Sequence, residues 1–390
     1  HLRSKFTIGK EEYDEFTFLG RRVRQHKDFT IELDQHAYVR ALEKVSISKE
    51  RRSQGSQKLT PKEIHDYRSI VGQLAWPARE TMPQLAYAVS DLQQKVEQAT
   101  VTDLVHANNV LNTAKRSVQQ GQTLKFLDLG PELTWEVQHS HRNKKPKRLP
   151  TDLGFAAVHD ASFMGQPKEG SQSAYCLMLC STKLYEGKAR THLIDWGSSK
   201  IHRKMRSTLA CEASSAARAF DRGTYVRTML YEIENGWEQL WNRDLEEGEN
   251  REQWNKMCKA IPFCLGTDCK SLYDVCTKNG SMPEERRVAL DLLDVRESIE
   301  EFGDKIRWIP TDHMLVDCMT KNMPPDAMMG YMKSMEYAFK YDDVIKQTKR
   351  EVAKARREQR AGQVAKQCDE IDELTEQFEK MELNLVEHYP

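Results

Sequence analysis

Leu153-Gly154-Phe155-Ala156-Ala157-Val158-His159-Asp160 is a short apolar run that ends in a carboxylate, and it reads as a buried strand. The device recurs downstream. Ile261-Pro262-Phe263-Cys264-Leu265-Gly266-Thr267 is a second strand candidate, closed by Asp268 and followed at once by the helical pattern Lys270-Ser271-Leu272-Tyr273-Asp274-Val275. Lys305-Ile306-Arg307-Trp308-Ile309-Pro310 is a third, with Asp317 in a short helical segment beyond it. Between the first and second lies Thr208-Leu209-Ala210-Cys211-Glu212-Ala213-Ser214-Ser215-Ala216-Ala217, whose small residues let a helix lie close against a sheet. Strand ends and helix faces from distant parts of one domain can thus bring Asp160, Glu212, Asp268 and Asp317 together. Grouped carboxylates repel unless cations fill the space between them, and two divalent ions about 4 Å apart are the usual occupants where the substrate is a phosphodiester.

Working outward, Ser173 to Cys180 and His192 to Trp196 supply further strand signals around the first carboxylate. Consecutive strands, then a helix, then alternating strands and helices imply a mixed α/β sheet with helices on its faces. The flanks differ in character. Phe16 to Gln25 reads as a strand, His26-Lys27-Asp28 as a turn, and Phe29 to Leu33 alternates as a half-buried hairpin strand does. From Gln35 the pattern turns helical, with Tyr38, Leu42 and Val45 on one face, and Ser46 to Gln57 is a polar linker. Helical periodicity returns from Pro61 to Ser117 with a break at Met82-Pro83, so this half reads as a hairpin followed by a helical bundle. Residues 121–152 form a connector with strand signals at Thr123–Phe126 and Leu133–Val137. It ends in the basic run His141 to Arg148, which either contacts phosphates or is a solvated linker.

Tyr225 to Lys259 is a helical insertion whose Trp237, Trp241 and Trp254 are spaced for a helix core rather than for base stacking. Past Pro324 the chain is helical and highly charged. Val364, Ile371, Phe378 and Leu385 recur every seven residues, a coiled-coil pattern that suits a homo-oligomer, another partner helix or intramolecular pairing.

Composition sets the outer bounds. The 390 residues carry 59 Lys+Arg against 59 Asp+Glu, a formal charge of +0, so no global field argues for or against nucleic acid. Hydrophobic content of 39% with mean hydropathy -0.72 indicates a polar surface. No window approaches the roughly 18 apolar residues of a membrane span, and the first residues are not a signal peptide. The expected setting is intracellular, cytoplasmic or nuclear, without a membrane partner. The nine cysteines show no metal-ligand spacing and read as reduced core thiols. The absent initiating Met suggests a piece of something longer.

Taken in order, these residues resemble the C-terminal part of a copia-type retrotransposon Pol polyprotein. The likeness starts at Phe18-Leu19-Gly20, similar to that family's hairpin at the end of the reverse transcriptase palm. It continues through Tyr67-Arg68-Ser69-Ile70-Val71-Gly72-Gln73-Leu74 and Leu85-Ala86-Tyr87-Ala88-Val89, as in a thumb and connection region. Trp196-Gly197-Ser198-Ser199-Lys200, Glu212, Thr267-Asp268-Cys269-Lys270-Ser271-Leu272, Trp308-Ile309-Pro310-Thr311 and Val316-Asp317-Cys318-Met319-Thr320-Lys321 then stand in the order of an RNase H module.

The resemblance implies a mixed α/β, RNase H-like sheet with flanking helices over 153–325. Ahead of it come the end of the palm and start of the thumb (1–45), a helical thumb/connection region (46–120) and a basic connector (121–152). A charged helical tail follows (326–390). It implies that Asp160, Glu212, Asp268 and Asp317 are catalytic and hold two Mg2+ or Mn2+ ions, and that the reaction is hydrolysis of the RNA strand of an RNA–DNA hybrid. Lys200, Arg203, Lys204 and Arg206 are the expected phosphate contacts, and His313 either assists product release or proton transfer or has no functional role.

The sequence departs from the family at His159, at Ala161 to Gly165 and at Ala210, which leaves a catalytically decayed or domesticated nucleic-acid-binding scaffold as the alternative. No Tyr-x-Asp-Asp motif precedes the hairpin, and Tyr341-Asp342-Asp343 has the wrong spacing. Polymerisation is therefore not expected of this chain.

Overall fold

The computed structural model describes residues 12–130, 133, 150, 152–166, 170–235, 247–278 and 283–339. The basic run at 141–148, Trp237, Trp241, Tyr341-Asp342-Asp343 and the heptads of the tail lie outside the described residues, as does the strand expected at 133–137 apart from Leu133.

The N-terminal part begins with a four-stranded antiparallel sheet of Glu15–Phe18 (β1), Arg21–Gln25 (β2), Ile31–Asp34 (β3) and Leu124–Phe126 (β4). The run from Phe16 to Gln25, expected as one strand, is thus two. Leu19 and Gly20 turn the chain with φ of 47° and 69°, the left-handed pair that a two-residue hairpin needs. Gly20 also meets Trp76, whose ring would stand 2.3 Å from any Cβ added there.

His36–Ala41 (α1) stops short of the expected helix, because Leu42 is already extended. The polar linker holds one helical turn, Lys49–Arg52 (α2). Three helices then pack around one core that includes Tyr67, Leu74, Leu92, Leu104 and Leu111: Pro61–Glu80 (α3), Ala86–Gln94 (α4) and Val101–Gln119 (α5). The long helical pattern therefore breaks twice, the second time at a capping box of Thr100 and Asp103. The first helix opens on a similar box, Thr60 with Glu63, and on Pro61, a residue suited to a first helical turn because its missing N–H would have no partner there.

A six-stranded mixed sheet follows. In chain order its strands are Leu153–Gln166 (β5), Gly170–Ser181 (β6), Lys188–Ile201 (β7), Phe263–Thr267 (β8), Lys305–Trp308 (β9) and Glu336–Ala338 (β10), and in space the order is β10-β7-β6-β5-β8-β9. The first three form an antiparallel meander, and β8 and β9 add to β5 in parallel. This is the RNase H-like arrangement, with β10 as an extra edge strand that the sequence did not signal.

Both faces are covered. Phe155, Ala157 and Leu177 face the helices Thr208–Asn235 (α6), Lys270–Thr277 (α8) and Arg286–Glu297 (α9). Ala156, Val158 and Met178 face Asp326–Ser334 (α10) and also Ala86 and Leu124 from the N-terminal part. The helix Glu247–Ala260 (α7) packs its Met257 and Cys258 against Tyr231 and Phe302, with Trp254 partly buried beside them. That agrees with the expectation of packing for Trp254.

Small residues decide how close α6 comes to the sheet. Ala210, Ala213, Ala216 and Ala219 are buried along one side of it, and at Gly223 an added Cβ would lie 2.1 Å from the Phe263 ring. At the far end Arg227 and Asp304, 1% and 2% exposed, form an ion pair of 2.9 Å. Asp304 also accepts the Phe263 backbone N–H at 2.9 Å and the Ser298 hydroxyl, so the pair fixes the start of β8.

Candidate active site

Successive side chains of a strand point to opposite faces. His159 therefore shares the α6 side with Phe155 and Ala157, while Asp160 shares the other side with Ala156 and Val158. β5 and β8 run in register with Val158 beside Gly266. Two residues further along, Asp160 is still within β5 while Asp268 has just left β8, which sets their carboxylates close together. Gly266 lets this end close up, since a Cβ there would meet Ile309 Cδ1 at 2.4 Å and Phe339 Cε1 at 2.6 Å. Glu212 comes from the second turn of α6. That helix is pinned at the same level, where the Ser215 hydroxyl donates to the Asp160 carbonyl at 2.9 Å. One carboxylate oxygen from each of Asp160, Glu212 and Asp268 lies within 4.8 Å of the others.

Asp317 sits in a one-turn 3-10 helix, Asp317–Met319, on the Asp160 side. Lys321 Nζ is 2.7 Å from Asp317 Oδ1 and 3.4 Å from Asp160 Oδ2, and the Thr320 hydroxyl donates to Asp160 Oδ2. All four predicted carboxylates thus meet at one place, three within common ligand reach and the fourth joined to Asp160 through Lys321.

Their electrostatics carry the strain of that meeting. Burial, then the charges of Asp160 and Asp268, push the Glu212 carboxyl up to about 9. Burial and Asp317 raise Asp268, and burial and Asp160 raise Asp317. Burial works against the charge of Lys321, yet Asp160 and Asp317 outweigh it and hold the ammonium above its ordinary value. Glu212 Oε1 accepts the Ala161 N–H at 3.3 Å, while its buried Oε2 has no hydrogen-bond partner. His159 stands 3.6 Å from that oxygen, fully buried with neither ring nitrogen bonded, and burial pushes it down to about 3.

A cluster of hard carboxylate oxygens with one oxygen unpartnered suits Mg2+ or Mn2+ rather than a softer metal. The residues present therefore fit the ions that the sequence implied, with Asp160, Glu212 and Asp268 as the holding set.

The expected phosphate contacts divide. Arg203, Lys204 and Arg206 line one cavity of about 370 Å³ with Arg286 and Arg287 of α9, while Lys200 is on β7, paired with Gln172, outside that lining. Arg203 already pairs with Asp291. His313 lies in the turn Thr311–His313, its carbonyl accepting the Tyr337 hydroxyl at 3.2 Å.

Sequence reasoning did not single out Lys321, Thr320 or His159 as parts of the cluster. Lys321 had one usable signal, its position one helical turn after Asp317.

Fold and site together define an α/β protein with a carboxylate cluster where β5, the end of β8 and α6 meet. Among solved structures the chain is similar to RNase H1 from the halophilic archaeon Halobacterium salinarum, at 11% identity and TM-score 0.25 over 45% of this chain and 98% of that one. It is similar to LC11-RNase H1 in complex with RNA/DNA hybrid, at 10% identity and TM-score 0.26 over 45% and 99%. It is also similar to the foamy viral protease-reverse transcriptase in complex with RNA/DNA hybrid, at 9% identity and TM-score 0.25 over 80% of this chain and 52% of that one. No protein-family model matches the chain, and no curated protein does. No helix of the described residues is long and apolar enough to cross a membrane.

Proposed function

We propose that this chain is a metal-dependent endonuclease of the RNase H type that cuts the RNA strand of RNA–DNA hybrids. The observation that carries the reading is the convergence of Asp160 from within β5, Asp268 from just past β8 and Glu212 from α6, within 4.8 Å. In this reading those residues and Asp317 hold two divalent ions. Ions so bound lower the pKa of an attacking water and neutralise charge on the phosphodiester. The chain's own groups orient the ligands: the Ala161 N–H fixes one oxygen of Glu212, and the Thr320 hydroxyl fixes one of Asp160. Lys321 supplies counter-charge between Asp160 and Asp317. Hybrid shape and 2′-hydroxyl contacts, rather than base sequence, select the substrate. The ordered motifs favour a copia-type reverse transcriptase as the source, with residues 13–120 binding primer and template or bracing the nuclease.

Lys321 also favours a second reading, a non-catalytic nucleic-acid-binding scaffold in which its ammonium is the permanent cation of the site. Incubation of a labelled hybrid with the protein and Mg2+, beside Asp268→Asn, separates the two. RNA-strand cleavage lost in the variant is the expected result. A parent protein that leaves the hybrid intact with Mg2+ and with Mn2+, or a variant that cuts as fast, removes the nuclease reading.

A further inference from the structure

A cavity of about 350 Å³ opens where α3 and α4 meet β7 and α6, and its walls include Arg79, Gln93, Gly197, Ser198, Ser199 and Arg218. Small residues keep it open. Ala75 and Ala78 form part of the helical wall. On the sheet side a Cβ at Gly197 would stand 3.0 Å from Arg218 Nη2, so the guanidinium lies almost on the strand. Arg218 is held in place by the Tyr175 ring, 5.1 Å from its carbon to the centroid, and by donating to Ser199 Oγ at 2.6 Å.

The charges around this cavity do not balance. Arg79, Arg218 and Arg222 share the neighbourhood of Asp195. That carboxylate accepts from Arg222 at 2.8 Å and from the Tyr175 hydroxyl at 2.8 Å, with Arg79 4.0 Å away. Arg218 is left hydrogen-bonded to a neutral hydroxyl. Burial presses its pKa below the ordinary value, with Tyr175 and Asp195 acting against that and Arg79 and Arg222 acting with it. A half-buried guanidinium without a carboxylate partner is costly unless an anion reaches it, and a planar fork of N–H donors is well matched to phosphate oxygens. Because Ser199 accepts from Arg218, its own proton is free to be donated into the cavity.

Position strengthens the case. Asp160 is opposite Ala174 and Ala174 is opposite Ser198, so the cavity mouth lies two strands from the carboxylate cluster at the same level, about 10 Å away.

We propose that this cavity binds a phosphate group between Arg79 and Arg218, carried on a nucleic-acid backbone or free in solution. The backbone source rests on the nuclease reading above; the free source does not.

The test uses the full chain and its Arg79→Met, Arg218→Met and Arg52→Met variants, the last a control on α2. Binding of a fluorescent RNA–DNA hybrid is followed by anisotropy in EDTA across a KCl series, and thermal unfolding is followed with and without inorganic phosphate. Either cavity variant is expected to weaken hybrid binding about 5- to 10-fold and to lower the slope of log K against log salt by about one. It is also expected to abolish the rise in Tm that phosphate gives the parent, while the control keeps all three properties. Loss of the phosphate effect with hybrid binding unchanged supports the site and assigns it to free phosphate. Unchanged hybrid binding together with an unchanged phosphate effect, an adventitious ion only, overturns it. Arg79 is 57% exposed in its side chain, so its variant decides the matter even if Arg218→Met fails to fold. A parent that binds hybrid through these residues without cutting it ends the nuclease reading and leaves the cavity standing. Normal cutting with hybrid affinity and the phosphate effect both unchanged in the two variants does the reverse.

Discussion

Replacing Glu212 by Gln should make the ion-free protein more stable and at the same time remove its response to magnesium. Glu212 is 4% exposed, and burial with Asp160 and Asp268 pushes its carboxyl from 4.5 up to about 9. At pH 7 the unfolded chain therefore carries the carboxylate ionised, while the ion-free folded state holds a proton on it. A folded-state pKa raised above the unfolded value gives stability that is full below pH 4.5 and is lost as pH rises towards 9. Each pH unit costs about 1.4 kcal/mol, so at pH 7 the deficit is at most about 3.5 kcal/mol. It is roughly 1–3 kcal/mol if the neighbouring carboxylates take up part of the proton. Gln carries no charge to desolvate, its amide oxygen can accept the Ala161 N–H, and its NH2 can face His159, so the deficit disappears. Urea denaturation in EDTA is the assay. The variant should match the parent near pH 4.5 and exceed it by a widening margin to pH 9. On adding Mg2+ to about ten times its dissociation constant the parent should gain about 1.4 kcal/mol by mass action, and the variant much less. A variant less stable than the parent in EDTA at pH 8, or one that gains as much from Mg2+, would refute the reasoning.

Other perturbations test the frame around the cluster. Arg227→Met leaves Asp304 buried with its charge unpaired and should cost about 3–5 kcal/mol in the same urea assay; a loss under 1 kcal/mol would mean that the Phe263 N–H and Ser298 hydroxyl suffice for the carboxylate. Gly223→Ala puts a methyl into the buried Phe263 ring and should destabilise by about 1–3 kcal/mol, with hybrid cleavage falling because Asp268 directly follows β8. Unchanged stability there would show that α6 does not set the spacing. Glu63, capping α3 and paired with Arg51 at 2.8 Å, has its carboxyl pulled down to about 2 by that guanidinium. A lowered folded-state value gives stability that is present above pH 4.5 and lost as pH falls towards 2, so Glu63→Gln should cost about 1 kcal/mol at pH 7. The parent and variant should converge by pH 2, and a constant gap across that range would contradict the assignment.

The carboxylates were legible in the sequence because each sits where a local pattern ends. Asp160 and Asp268 terminate apolar runs, and Glu212 lies among residues small enough to be read as a close helix–sheet contact. The arrangement that joins them is not local. Whether His159 or Asp160 faces α6 depends on which parity of β5 that helix covers, and both parities of this strand are apolar, so the sequence leaves the choice open. Turns escaped for a related reason: the apolar period runs on through Leu19-Gly20 and through 95–100, where only a glycine and a capping box mark the change.

Least visible of all was the covering of the Asp160 face by the first third of the chain. The Trp196 indole donates to the Ala78 carbonyl at 2.8 Å, and the buried Gln172 amide donates both to Ser90 at 2.9 Å and to Ser198 at 2.8 Å. Ser198 in turn donates to the carbonyl of Met319, in the turn that carries Asp317. These links span sequence separations of 26 to 121 residues, and no local periodicity encodes them. They also mean that the helices before residue 120 help to hold one of the four carboxylates. Cutting the chain between the connector and Leu153 should therefore loosen the Asp317 turn, and with it the Thr320 hydroxyl's hold on Asp160, before it disturbs Glu212 and Asp268.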